Sequence, residues 1–230
     1  DGTNTLKSSN WHAGLEKNND GKLTITDKNE NGKLIATGSR YGAGIGGGNQ
    51  RNGSNITITG GEITVYARPE HLAAPLAALR RMGCRITTGE QSITLTAPEH
   101  LQGAGSIVTL PYPGFPTDLQ AIFMALAAAA EGYTAFTETV FPRRWAHVEE
   151  LRRLGADITV VGSHAVIRGA PLIGSALTCT DLRAGAAVVL AALAAKGESS
   201  VTAISHIERG YADFVPTLRH LGADIYLTEV

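Results

Sequence analysis

The sequence has few of the features that mark specialised protein classes. Only 18% of its 230 residues are charged and the formal net charge is −1, so it has no broad basic surface of the kind that attracts nucleic acid. Its two cysteines, Cys84 and Cys179, cannot build a disulfide framework, which fits a reducing compartment. No apolar run reaches the roughly 18 residues that span a membrane, and no signal peptide is evident. We therefore predict a globular protein that binds neither nucleic acid nor membrane.

Common site motifs are also missing or incomplete. The seven histidines form no HExxH motif and no paired Cys/His spacing, so we expect no metal and no cofactor. The chain has no GxSxG, and Ser163-His164 and Ser205-His206 are sequence neighbours rather than a hydrolase arrangement. Residues 42–46 spell Gly-x-Gly-x-Gly, but neither the helix nor the acidic residue of a dinucleotide site follows.

The first 60 residues differ in composition from the rest, being rich in Gly, Asn, Thr and Ser. Short apolar alternations predict strands at residues 23–25, 33–35 and 56–58, with Asn-Gly turns between them. Such spacing indicates a β-solenoid, meander or small sandwich. The glycine run at 42–48 and the Ile-Thr-Ile-Thr-Gly-Gly that follows resemble repeats of extracellular parallel β-helix proteins, some of which bind carbohydrate.

From residue 61 onward, helical patterns alternate with β-branched runs, which predicts an α/β domain over 61–230. An internal repeat organises it: the Leu-Arg-Arg-Leu-Gly-Ala-Asp-Ile of 151–158 returns with one change at 218–225, and more loosely at 79–86. In each copy we predict a helix that ends at a glycine in the left-handed conformation and is followed directly by a strand.

The first half of the repeated unit also occurs twice. Thr117-Asp118 opens an Ala-rich helix that includes a buried stretch at 121–130, and Thr180-Asp181 opens another, with Thr or Asp suited to cap the start. A strand follows each helix, and then an arginine, Arg144 or Arg209, at the start of a second helix. The earliest copy has only its second half, because the β segment stands where its first helix would be. An apolar patch left there would favour self-association.

Four motifs at these positions, taken together, resemble the C-terminal part of the UDP-N-acetylglucosamine 1-carboxyvinyltransferases, which are enolpyruvyl transferases. The resemblance implies a fold of repeated helix-strand units, the inside-out α/β barrel, in which two similar domains each hold three repeats of two helices and a four-stranded sheet. It also implies transfer of enolpyruvyl from phosphoenolpyruvate to the 3-hydroxyl of UDP-N-acetylglucosamine, in peptidoglycan precursor synthesis. The motifs are Pro111-Tyr-Pro-Gly-Phe-Pro-Thr-Asp118, Glu138-Thr-Val-Phe-Pro-Arg-Arg144, Thr180-Asp-Leu-Arg183 and His206-Ile-Glu-Arg-Gly-Tyr211.

The resemblance gives two carboxylates a catalytic role. Asp118 would remove the proton of the sugar 3-hydroxyl, as a hydrogen-bonded carboxylate can. Asp181 would orient groups beside it. For both residues the alternative is a simple helix cap, and without the resemblance we would favour capping for Asp118.

Three arginines and a valine are implied in substrate binding. Arg183 and Arg209 would face the phosphate and carboxylate of phosphoenolpyruvate, anions that a guanidinium binds bidentately. Arg144 and Val140 would line the side of the UDP-sugar. The alternative for Arg183 and Arg209 is that they are solvated surface residues. Without the resemblance, the sequence favours this alternative at least as much as anion binding.

Neighbouring aromatic residues are expected to have packing roles. We expect Phe141 to belong to the core, and Tyr112 and Phe115 to pack the proline-rich turn before the first helix. Both cysteines are expected to be small buried residues.

The family's mobile-loop cysteine and its lysine for phosphoenolpyruvate have no counterpart here, so we expect a partial enzyme, inactive alone. Two alternatives remain open: a binding or structural protein whose β segment holds carbohydrate, and a chimera joined at residues 60 and 61. The β segment resembles secreted proteins and the transferases are cytoplasmic, and we expect the cytoplasm because the second match is longer. The chain begins with Asp1, which suggests a fragment.

Overall fold

The computed structural model describes residues 3–7, 33–37 and 62–228, the first two ranges by their backbone alone. Within these ranges it contains strands and α-helices in alternation. The strands are β1 Thr3–Lys7, β2 Lys33–Thr37, β3 Glu62–Val65, β4 Arg85–Thr88, β5 Ile93–Thr96, β6 Gly105–Val108, β7 Tyr133–Thr137, β8 Asp157–Val161, β9 His164–Arg168, β10 Ala176–Thr178 and β11 Ser200–Thr202. The helices are α1 Ala73–Arg81, α2 Gln120–Ala129, α3 His147–Arg153, α4 Leu182–Ala194, α5 Ser205–Glu208 and α6 Phe214–His220.

The chain divides into two compact units. Unit 1 comprises Asp1–Pro69, Arg85–Ala97 and Glu208–Val230, and unit 2 comprises Glu70–Cys84 and Pro98–Ile207. The mixed α/β class predicted from the sequence is confirmed. The boundary near residue 60 stays a prediction.

Unit 2 is built on a four-stranded sheet in the order β6-β7-β9-β8. β6 and β7 are parallel, while β9 runs antiparallel to both of its neighbours, β7 and β8. Strand β9 shows why one face is buried: Ala165 and Ile167 point inward and alternate with exposed His164, Val166 and Arg168, as the two-residue period of a strand requires. A second pair of parallel strands, β10 and β11, follows in the chain.

Helices α2 and α4 form the centre of unit 2, where they pack against each other. Both are rich in Ala and other apolar residues around most of their circumference, and such helices are stable only when buried. The prediction of a buried helix over 121–130 is therefore confirmed by α2. Gly185 allows a close approach on α4, since a Cβ atom there would lie 2.9 Å from Ile207 Cγ1 and 3.0 Å from Cys179 Sγ.

Unit 1 contains a five-stranded sheet in the order β1-β2-β3-β5-β4. β2 runs parallel to β3, and β3, β5 and β4 are antiparallel, which repeats the pattern of β6-β7-β9-β8 in unit 2. A strand from the Gly/Asn-rich segment thus takes the place in this sheet that β6 takes in the other. The strand predicted at 33–35 is confirmed by β2, whereas those predicted at 23–25 and 56–58, and the glycine run at 42–48, lie outside the described residues.

The repeated glycines behave alike. Gly83, Gly155 and Gly222 follow α1, α3 and α6 with φ of +96°, +93° and +96°, the left-handed region predicted for them. Strands β4 and β8 follow the first two directly, and each pairs with the next strand, β5 or β9. The strand predicted after Gly222 is wrong, because residues 223–228 have no strand and no ladder partner within the described part of the chain.

Candidate functional site

Asp118 lies in a short 3-10 turn, Thr117–Leu119, immediately before α2. Phe115 precedes the turn and is buried, and its ring packs edge-to-face on Phe123 of α2 with ring centroids 4.9 Å apart. Phe115 therefore packs the turn as predicted. For Tyr112 the prediction was wrong: its ring is exposed and its hydroxyl lies 2.9 Å from His71 Nδ1.

Two arginines from different parts of unit 2 converge on the carboxylate of Asp118. Arg144 Nη1 donates to Oδ1 at 2.9 Å, and Arg183 Nη2 donates to Oδ2 at 2.7 Å. Arg183 is 13% exposed and Arg144 22%, while Asp118 keeps half of its surface in solvent. Burial tends to raise the pKa of Asp118, but the hydrogen bonds and positive charges of Arg144 and Arg183 outweigh it and hold the pKa below the ordinary value. The carboxylate is therefore ionised at neutral pH and remains partly open to a ligand.

Asp181 has a different task. Its side chain accepts hydrogen bonds from the backbone N–H groups of Arg183 and Ala184, both at 2.8 Å, and so caps α4. The capping alternative is thus realised at Asp181, where it also fixes the backbone of Arg183. The carboxylate of Asp118 instead accepts from side chains, those of Arg144 and Arg183.

The segment from Glu138 to Arg144 forms the other side of the site. The backbone N–H of Val140 donates to Glu138 Oε1 at 2.9 Å, and the guanidinium of Arg144 lies 5.4 Å from the ring centroid of Phe141. Phe141 is 55% exposed, so its assignment to the core was wrong. At the surface its ring makes a cation–π contact with Arg144, and it lines an open pocket with Pro142, Arg143 and Arg144.

Arg209 belongs to unit 1, where it is exposed and directly follows α5. The helix after it, α6, begins at Phe214, and the helix after Arg144, α3, begins at His147, so each arginine precedes its helix by a few residues rather than opening it.

Two buried titratable residues near the site received no role from the sequence. Glu138 is fully buried although it carries a carboxylate, and His147 is 1% exposed on α3. His147 Nε2 lies 3.0 Å from Met124 Sδ. Burial lowers the pKa of His147 to about 4; the positive charge of Arg144 also lowers it, whereas the negative charge of Asp181 raises it by less. A sequence signal existed for His147, which falls on the apolar face of a helix with Val148 and Leu151.

Neither a metal site nor a membrane span emerges from the described residues. Among them, no three His, Cys, Asp or Glu side chains are grouped closely enough to bind a metal ion. None of the helices described combines the length and the apolar character needed to cross a membrane.

Comparison with known proteins gives one consistent result. Residues 54–218 match the family model of EPSP synthase (3-phosphoshikimate 1-carboxyvinyltransferase). The UDP-N-acetylglucosamine 1-carboxyvinyltransferase of Magnetococcus marinus is 46% identical over 170 residues, which are 73% of this chain and 41% of that protein. A second relative, UDP-N-acetylglucosamine 1-carboxyvinyltransferase 1 of Symbiobacterium thermophilum, is 47% identical over 73% of this chain and 38% of its own length.

Among solved structures, the enolpyruvyl transferase NikO from Streptomyces tendae superposes with a TM-score of 0.65 at 30% identity, over 74% of this chain and 41% of that chain. The present chain thus spans about 40% of the length of the relatives it matches. These matches give no support to the resemblance between residues 1–60 and β-helix proteins. On the strength of a family match that covers residues 54–218, the chain belongs to the EPSP synthase (3-phosphoshikimate 1-carboxyvinyltransferase) family.

Proposed function

We propose that the chain provides one wall of the active site of a UDP-N-acetylglucosamine 1-carboxyvinyltransferase. The observation that carries the proposal is the ionised carboxylate of Asp118 held between Arg144 and Arg183, in a chain about 46% identical to relatives of that name. The substrates are UDP-N-acetylglucosamine and phosphoenolpyruvate, and the product is the enolpyruvyl ether at the sugar 3-hydroxyl. The reaction belongs to peptidoglycan precursor synthesis, and we infer a cytoplasmic location from it.

Asp118 serves in this proposal as the general base. A carboxylate offers about four acceptor positions, of which the two arginines occupy two, so a sugar hydroxyl can still donate to it. The proton of that hydroxyl passes to Asp118 as its oxygen bonds to C2 of phosphoenolpyruvate and C3 takes up a proton. C3 then gives up a proton as the C2–O bond to phosphate breaks, which restores the double bond in the enolpyruvyl ether. The lowered pKa keeps Asp118 deprotonated and able to accept a hydrogen bond from that hydroxyl, and it also makes the carboxylate a weaker base.

The arginines bind the anionic parts of the two substrates. Arg183 lies in the first turn of α4, where the helix dipole adds to its own positive charge, and it faces phosphoenolpyruvate. Asp181 holds the start of α4 and thereby keeps Arg183 in place. Arg144 and Val140 contact the UDP-sugar from the loop that follows β7.

Isothermal titration of the 230-residue chain tests this proposal. We expect UDP-N-acetylglucosamine to bind the wild-type chain. Asp118→Ala should lower the affinity for this ligand about 10-fold or more, because a hydrogen bond to a charged group is lost. Arg183→Ala should lower the affinity for phosphoenolpyruvate by a similar factor. Arg168→Ala, an exposed arginine on β9, is the matched control and should change neither affinity. If neither ligand binds the wild-type chain at millimolar concentration, the proposal fails.

A further inference from the structure

Glu138 is an unusual carboxylate, because it is fully buried and yet faces only hydrogen-bond donors. Its Oε1 accepts from Thr109 Oγ1 at 2.7 Å and from the backbone N–H groups of Val140 and Phe141, each at 2.9 Å. Its Oε2 accepts from Thr117 Oγ1 at 3.0 Å. A buried carboxylate is costly unless its oxygens are satisfied, so four donors to one group indicate a built feature of the fold rather than an incidental contact.

The partners of Glu138 are the segments that surround Asp118. Val140 and Phe141 begin the loop that carries Arg144, and Thr117 directly precedes Asp118 in the 3-10 turn. Thr109 strengthens the junction from the third side, because its hydroxyl also accepts the N–H of Thr139 at 2.9 Å. A single carboxylate therefore fixes the spacing between the loop of Arg144 and the turn of Asp118.

Thr117 extends this link to the site itself. Its hydroxyl has one proton, which it donates to Glu138, and its lone pairs accept from Arg144 Nη1 at 3.2 Å. The same Arg144 nitrogen donates to Asp118 Oδ1 at 2.9 Å. The chain of contacts runs from Glu138 through Thr117 to Arg144 and ends on Asp118.

We propose that Glu138 is a positioning residue, which acts through the Thr117 hydroxyl and the loop at 140–141 to hold Arg144 against Asp118. Glu138 itself touches no substrate in this proposal. Its consequence for catalysis rests on the proposed function, whereas its effect on the Arg144–Asp118 pair does not. A purely structural role predicts something else: lower stability when Glu138 is changed, with an unaltered environment at Asp118.

Three variants separate these roles. Glu138→Gln keeps an oxygen for the three donors at Oε1 but presents an NH₂ group to Thr117, so the hydroxyl loses its acceptor and Arg144 loses part of its support. Thr117→Val removes the hydroxyl at nearly constant size, and Thr117→Ser retains it. Thr64→Val is the control, because it removes a side-chain hydrogen bond of 2.7 Å to Thr94 in unit 1.

The pKa of Asp118, measured by carboxyl ¹³C NMR titration of the whole chain, is the decisive readout because it requires no substrate. We expect it to rise toward the ordinary aspartate value in Glu138→Gln and Thr117→Val, as Arg144 loosens, and to stay low in Thr117→Ser and Thr64→Val. If Glu138→Gln does not fold, the two Thr117 variants still test the proposal, because Thr117 is only half-buried and lies between Glu138 and Arg144. An unchanged Asp118 pKa in Thr117→Val, or an equal rise in Thr117→Ser, overturns the proposal.

Titration with UDP-N-acetylglucosamine then links positioning to function. Glu138→Gln and Thr117→Val should bind it about 5- to 10-fold more weakly, and Thr117→Ser should restore the affinity, as expected for the loss of one net hydrogen bond. If the pKa of Asp118 shifts as expected but the wild-type chain does not bind the nucleotide sugar, the positioning role stands and the substrate assignment falls.

Discussion

Two guanidinium groups face the carboxylate of Asp118 and hold its pKa below the ordinary aspartate value. A carboxyl whose pKa is lower in the folded chain stabilises the fold at pH values above its unfolded pKa, and that contribution is lost as the pH falls through the folded pKa. Half of the side chain is exposed, so solvent screens the pair and the energy involved is small.

Asp118→Asn should therefore lower the free energy of unfolding by about 1 kcal/mol at pH 7, and the difference from wild type should be smaller at about pH 3. Urea unfolding at both pH values measures the effect. Asp157→Asn, a change to an exposed aspartate on β8, controls for the loss of one negative charge. An equal loss at both pH values would mean that Asp118 stabilises the fold by packing rather than by charge.

His147 is the second residue whose environment determines its charge. Burial lowers its pKa to about 4, so between the ordinary histidine value of about 6.5 and pH 4 the unfolded chain takes up a proton that the folded chain does not. The folded state therefore loses stability as the pH falls through this range.

For His147→Gln we expect this pH dependence to disappear. Wild type should lose about 2 kcal/mol from this residue between pH 7 and pH 5, while the variant should lose none of that part. His100→Gln, at an exposed position, should keep the wild-type slope. Urea denaturation at the two pH values checks it, and identical slopes for His147→Gln and wild type would contradict the assignment of a buried neutral imidazole.

The sequence predicts Asp118, Arg144 and Arg183 as site residues, and that assignment stays a prediction; it could not tell which groups each side chain contacts. Thr117-Asp118-Leu and Thr180-Asp181-Leu are locally identical, yet one aspartate pairs with arginines and the other caps a helix. The difference comes from partners 26 and 65 positions away from Asp118 in the chain, which local pattern does not show. Glu138 was missed for the same reason, since its threonine partners lie 29 and 21 positions away.

At the scale of elements, the described helices α1, α3 and α6 end alike, each followed by a glycine with φ of +93° or +96°. Gly155 ends α3 with φ of +93°, and its N–H donates to Arg152 O at 2.9 Å, which closes the last turn. The nearest atom to a Cβ built there is Pro171 O at 3.8 Å, so there is space for a side chain and only the backbone conformation opposes one.

Gly155→Ala should consequently cost about 1 to 2 kcal/mol, the strain of an L-residue in the left-handed region. Gly155→Asn should cost clearly less, because asparagine tolerates this conformation, and it serves as the matched comparison. Thermal or urea unfolding of the two variants measures the order. Equal losses would point to steric contact, and no loss in the alanine variant would contradict the conformational argument.

Elements with strong local signals were predicted well, and those that depend on partners were not. The apolar stretch of α2 and the glycine-terminated helices could be recognised because composition and periodicity act within a few residues. Strand β1 was missed, and a strand was predicted after Gly222 where none is found, because a strand forms only when a neighbour completes its ladder. The pairing of β2 with β3 was likewise not predicted from the sequence. Through this pairing the Gly/Asn-rich segment adds a strand to the first sheet.

At the scale of the whole molecule, the proposed function gives this chain only one side of the active-site cleft. Positioning of two substrates and exclusion of water both require groups on opposite sides of the reacting atoms. The chain aligns with about 41% of the length of the Magnetococcus marinus relative. The contacts that join Asp118 to Arg144 and Arg183 lie within unit 2, so we expect the proposed binding to be retained in this part alone.

We therefore expect the 230-residue chain to bind UDP-N-acetylglucosamine and yet release no phosphate above background from that sugar and phosphoenolpyruvate. The background is the rate of Asp118→Ala under the same conditions, and the Magnetococcus marinus enzyme provides the positive control for the assay. A robust turnover that disappears in Asp118→Ala would contradict the prediction, because it would show that one wall suffices for catalysis. Binding without turnover would instead separate the two contributions, with affinity residing in the arginine-held carboxylate and rate requiring groups that close over it.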